Sequence, residues 1–150
     1  MTSVVLSAIV GLGGLAFGIL AHSATLKQEK ELKQFEITFI AKQSAYASFI
    51  NCLYRSLSAA LDKDPGLLFA NEKELEALFF SLEPFLEQED RRVEWDRLQQ
   101  FFLFCTSINN RQSLSDEDLE EIFGTFVEFR NEFRQSLFQS LFGQEPTLLR

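Results

Sequence analysis

The side chains of this 150-residue chain best suited to nucleophilic or metal chemistry are one histidine, His22, and two cysteines, Cys52 and Cys105. A cysteine nucleophile needs an imidazole within hydrogen-bond reach. A structural zinc needs four convergent ligands. Two cysteines far apart in the chain and one histidine close to its start offer neither. The carboxylates Glu72 and Glu76 fall one helical turn apart, on what reads as a polar, solvated face. Acids also crowd at Glu87-Gln88-Glu89-Asp90 and from Asp116 to Glu121. Both stretches lack the spacing and the glycine of a calcium loop. The glycine-rich Gly11-Leu12-Gly13-Gly14 has no Lys-Ser or Lys-Thr behind it, so it is not a phosphate loop. No Gly-x-Ser-x-Gly elbow and no Glu-x-x-His pair occurs. Trp95 and Tyr54 read as core or rim. The chain reads as a non-enzyme, with no cofactor, no metal site and no small-molecule substrate.

The elements that would carry any such group begin with an uncharged stretch. Met1 to Leu26 contains no Asp, Glu, Lys or Arg, and Val4 to Ala21 is an almost unbroken apolar run. A hydrocarbon core of about 30 Å takes roughly 20 such residues as a helix. The run is therefore expected to span a membrane as a retained anchor, residues 1–25. A cleaved signal peptide is the main alternative, because Ala21-His22-Ser23 offers a small-x-small site. However, the run lacks a preceding basic side chain and is longer than a signal core. A buried soluble helix is the third reading.

Lys27, Lys30 and Lys33 follow the run and none precedes it. Basic flanks stay in the cytoplasm, which places the N-terminus outside and the body of the chain at the inner face of the cell membrane. The same lysines would contact anionic lipid. Ser7, Gly11, Gly14, Gly18, Ala21 and Thr25 recur at steps of four and three, and all are small. Membrane helices use such faces to pack closely, on a second copy or on another membrane protein.

Only 7 glycines and 3 prolines are present, and Gly11, Gly13, Gly14 and Gly18 lie inside the apolar run. So few breakers predict long helices. Leu26–Leu61 reads as one helix, closed by Asp62-Lys63-Asp64-Pro65-Gly66. The small-residue register passes into it without a phase break, through Gln28, Leu32, Phe35, Phe39, Lys42, Tyr46, Phe49 and Leu53. A parallel dimer could use this seam from end to end, but Gln28 and Lys42 weaken a coiled coil, so packing on later helices of the same chain is the expectation for the stripe beyond the anchor. A second helix is placed after Asn71 as N-cap, with Leu75, Leu78, Phe79 and Leu82 inward and Pro84 at its end. A third runs from about Pro84 to Asn109 and buries Leu86, Val93, Leu98, Phe101, Phe102, Cys105 and Ile108. The fourth starts at Ser115, paired with Asp118 in a capping box, and ends at Gly143.

The expected fold is all-α. A single N-terminal transmembrane helix continues into an antiparallel helical bundle, residues 26–143, with about four helices in total and a loose tail over 144–150. Phenylalanine occurs 17 times. The fourth helix is apolar on more than one flank, which reads first as a Phe-rich core buried on both sides and second as a partner surface formed by Phe129, Phe133, Phe138 and Phe142.

Net charge is −8, with 16 acids against 6 bases between residues 62 and 121. That balance excludes nucleic acid as the main partner, since phosphate needs a basic face. The partners implied are membrane lipid and either another copy or another membrane protein. The role expected is a membrane-tethered scaffold or adaptor. A small membrane-perturbing effector is a second possibility, and an extracytoplasmic binding module, reached if the topology is inverted, is a third.

Overall fold

A computed structural model describes residues 2–143, and the side chains of residues 19–143. It contains four α-helices and, among the described residues, no strand: α1 is Thr2–Leu61, α2 Pro65–Leu82, α3 Gln88–Asn110 and α4 Asp116–Phe142. A short 3-10 turn, Glu83–Phe85, links α2 to α3. The chain divides into two compact units, Met1–Ala41 and Lys42–Arg150.

The first unit is the N-terminal part of α1. No helix among the described residues is long and apolar enough to cross a membrane. Most of the run assigned to a bilayer by the sequence, including Ser7, Gly11, Gly14 and Gly18, lies outside the described side chains, so the transmembrane assignment draws no support from them. From Ile19 to Ile37 every side chain is exposed. Leu26, Leu32, Phe35 and Ile37 are large apolar members of that exposed set, and Phe39 and Ile40 just beyond it are exposed as well. Leu32 and Phe35 belong to the predicted stripe.

The second unit packs the end of α1 with α2, α3 and α4 around one core. Phe49, Leu53, Leu75, Leu82, Leu98, Phe101, Ile108, Ile122, Phe133 and Leu137 are its large, fully buried members. Contacts between α1 and α4 run in opposite directions along the two helices: Lys42 Nζ donates to the Leu141 carbonyl at 3.3 Å, Phe49 meets Phe133 edge-on at 5.2 Å, and Tyr54 meets Phe126 at 5.0 Å. α3 and α4 are likewise antiparallel, from Asp90–Ser140 to Phe104–Phe129. Here the predicted stripe does pack inward at Tyr46, Phe49 and Leu53.

The helix boundaries follow from local chemistry. α1 closes where Lys63 adopts a left-handed conformation, φ 58°, and its amide reaches back to the Ala60 carbonyl. α2 starts at Pro65, earlier than the sequence reading placed it. Asp64 is the cap, accepting from the Leu67 amide at 2.9 Å, and Pro65 fills the first helical position, where a missing N–H costs nothing. Asn71, assigned as the cap, is instead a buried residue inside α2. Pro84 ends α2 as expected, but α3 begins at Gln88 rather than Pro84. Val93, assigned to the α3 core, is exposed, and Glu94 occupies the buried position beside it.

α4 starts with the anticipated capping box. The Ser115 hydroxyl accepts from the Asp118 amide at 3.1 Å, and the Asp118 carboxylate accepts from the Ser115 amide at 2.8 Å. The Ser115 amide and hydroxyl, with Arg111 in support, hold the Asp118 carboxyl below its ordinary range. An acid with a depressed pKa contributes stability that is complete above its unfolded value and is lost as pH falls through the folded one. Ser115→Ala removes the capping hydroxyl and should cost about 1 kcal/mol at neutral pH. The gap from wild type in urea denaturation should shrink as pH drops below about 4.

Candidate functional site

The four candidate phenylalanines of α4 do not form one surface. Phe133 is completely buried against Phe49, which corrects its assignment as a partner contact. Phe129 is half-buried and packs on α3, 5.6 Å from Phe101 and 5.5 Å from Phe104. Phe138 is 56% exposed and Phe142 is half-buried. Both turn toward α1, where Tyr46 meets each ring at 6.2 Å. Tyr46, Asn131, Arg134, Gln135, Phe138 and Gln139 line an open groove of about 580 Å³. The walls formed by these residues are amide, guanidinium and aromatic.

The most unusual chemistry lies between α3 and α4, and the sequence reading missed it. Glu94 is completely buried. Its Oε1 accepts from Arg97 at 2.5 Å and from the Ser136 hydroxyl. Its Oε2 is buried without a hydrogen-bond partner. Arg97 also reaches Glu132 at 3.1 Å and lies 5.6 Å over the Phe133 ring. One turn away Asp90 accepts from Ser140 at 2.9 Å. Glu87, Asp90, Ser136, Gln139, Ser140 and Gly143 line a cavity of about 380 Å³. Ser136 donates to the arginine-paired carboxylate, which holds the hydroxyl in place.

The signal for Glu94 is in the register. Leu98, Phe101, Cys105 and Ile108 step by three and four, and one more step back from Leu98 lands on Glu94 rather than Val93. Among the described residues no group of three or more His, Cys, Asp or Glu could hold a metal ion.

A second polar layer lies where α1, α2 and α3 meet. Cys52 Sγ donates to the Asn71 carbonyl at 3.4 Å, and Ser56 donates to the Cys52 carbonyl at 2.9 Å. Burial, aided by Glu76, raises the Glu72 carboxyl. Burial pushes the Cys52 thiol up to about 11, against the opposing pull of Arg55. Burial and then the Glu72 charge push Cys105 up further still. Both cysteines are free and buried, so they are protonated core groups and poor nucleophiles. A maleimide at about pH 8 should leave both unlabelled in the folded chain and label both on unfolding. Rapid labelling of the native protein would contradict this burial.

Of the remaining predicted residues, Lys27, Lys30, Lys33 and Ala21 are exposed on α1, as is His22. Lys42 turns into the bundle, capping the end of α4 and lying 5.1 Å over the Phe85 ring. A cation near the last carbonyls of a helix is favourable. Neither polar layer assembles a nucleophile with a base. The N-terminal unit also exposes large apolar side chains, Leu32 and Phe35 among them. No protein-family model, curated protein or solved structure matches this chain.

Proposed function

We propose that the chain is a membrane-anchored, non-enzymatic scaffold. In this reading a single N-terminal span, residues 4–21, is retained in the cell membrane with its N-terminus outside. The helical bundle sits at the inner face and holds or positions a protein partner there. Self-association or docking on another membrane protein runs through Ser7, Gly11, Gly14, Gly18 and Ala21, and Lys27, Lys30 and Lys33 meet anionic lipid. The observation that carries the reading is the single 60-residue helix α1. Its opening third is free of charged side chains, its middle is exposed, and its last third contributes Phe49, Cys52, Leu53 and Leu57 to the core. Two buried free thiols fit a reducing compartment.

Membrane fractionation tests the anchor, and cysteines at Gly14 or Gly18 test the packing face. The chain should stay with lipid until detergent is added, and the cysteines should trap a neighbour in native membranes. Release on lysis without detergent, or mature protein that begins after Ser23, would end the anchor reading.

A further inference from the structure

The exposed helical segment from Gln28 to Phe39 carries its charges in a pattern that selects a partner. Successive residues turn by about 100° around a helix. Gln28, Leu32, Phe35 and Phe39 therefore share one face, with Leu32 57% and Phe35 47% exposed and Phe39 stacked on Phe35 at 6.3 Å. Glu29 and Glu36 line one edge of that face and Glu31 the other. Lys27, Lys30 and Lys33 fall outside those edges, toward the opposite side. All six charged residues are exposed, and among the described residues none of the three acids takes part in an ion pair.

In a two-helix seam the residues flanking the apolar positions decide which helix is accepted, and in which orientation. A second copy is a poor fit. In a parallel pair Glu31 of one copy faces Glu36 of the other. In an antiparallel pair the Glu29 and Glu36 edge meets itself. A helix with Lys or Arg at both flanks places a base against every acid.

We propose that this face is the docking seam for a basic amphipathic helix of a different membrane protein, one whose Leu- or Ile-rich stripe is flanked by Lys or Arg. The proposal rests on the scaffold reading for its location and narrows it, choosing a heterologous partner over self-association. The location favours such a partner, because segments just inside the membrane are enriched in Lys and Arg. The seam is short, about three turns, so affinity in solution is modest. Anchoring both helices in one membrane raises it through effective concentration.

The test uses the full-length chain in nanodiscs of neutral lipid and two labelled four-heptad peptides. The peptides are identical except for Lys or Glu at the flanking positions. The Lys-flanked peptide should bind at least about tenfold more tightly than the Glu-flanked one. The triple variant E29K/E31K/E36K should reverse that order. Leu32→Ser with Phe35→Ser, exposed positions that leave the core intact, should weaken the favoured peptide at least tenfold.

Equal binding of the two peptides, or binding of neither, would overturn the proposal. So would an order unchanged by the charge reversal, which would mark simple attraction to the acidic middle of the chain. Gln28→Cys adds a check on self-pairing. Its disulfide should form far more readily between the unreversed and reversed chains than between two unreversed ones, and equal trapping would assign the face to a second copy. Failure of the anchor is distinguishable: a chain released from lipid that still discriminates the peptides keeps the seam, and a chain that stays in lipid without discriminating loses it.

Discussion

Arg97→Leu should destabilise the bundle by about 3–5 kcal/mol, among the largest effects of any single substitution outside the apolar core. Glu94 is fully buried and, among the described residues, is paired with Arg97 at 2.5 Å. Without that charge the carboxylate sits in the core between Ser136 and an already unpartnered Oε2. Removing both partners is a different matter. Replacing a buried pair with apolar residues of similar size is often neutral or stabilising, because neither ion is left desolvated. The double variant Glu94→Leu, Arg97→Leu should therefore return to within about 1–2 kcal/mol of wild type in urea or thermal denaturation. Glu132 loses a partner in both variants, but at 60% exposure it is well hydrated and contributes little. A double variant as unstable as the single one would show that the cost does not come from a stranded Glu94 charge.

Phe133→Ala should cost about 3–5 kcal/mol, and Phe49→Ala about the same. Both rings are completely buried and meet edge-on at 5.2 Å across α1 and α4. The double variant should fall short of additivity by about 0.5–1.5 kcal/mol, the worth of the ring pair itself. Phe138→Ala, five positions along the same helix but 56% exposed, should cost less than about 1 kcal/mol. Calorimetry on the full chain separates these cases, because 3 kcal/mol in a domain near this size lowers the Tm by about 12 °C or more. Equal effects at Phe133 and Phe138 would contradict the packing described here.

The parts of this fold that sequence discloses are those controlled by neighbouring residues. Ser115 and Asp118 announce the start of α4 because both halves of the capping box lie within four positions. Pro84 announces the end of α2 for the same kind of reason. The start of α2 was missed although Asp64 and Pro65 carry both N-terminal signals, because the same residues also spell a turn. Here they are both, the end of one connection and the first position of a helix. Asn71 looked like a cap and is instead held inside, its carbonyl taken by Cys52.

Glu94 was legible only to a reader who trusted the register above the residue type. An acid at a core position becomes plausible once Arg97 and Ser136 are known to converge on it, and Ser136 comes from another helix. In the same way a phenylalanine count points to aromatic packing without sorting Phe133, inside, from Phe138, outside. That division depends on which face of α4 meets α1 and α3, a property of the assembled bundle.

The Lys42–Leu141 hydrogen bond brings the point where the chain enters the second unit beside the point where α4 ends. The bundle is in this sense a closed ring, with its seam of chain entry and exit zipped by Tyr46, Phe138 and Phe142. Circular permutation exploits this geometry. A short linker from Gly143 back to Lys42, with new ends opened between Arg111 and Ser115, would leave every helix where it is and free the bundle from its N-terminal lead.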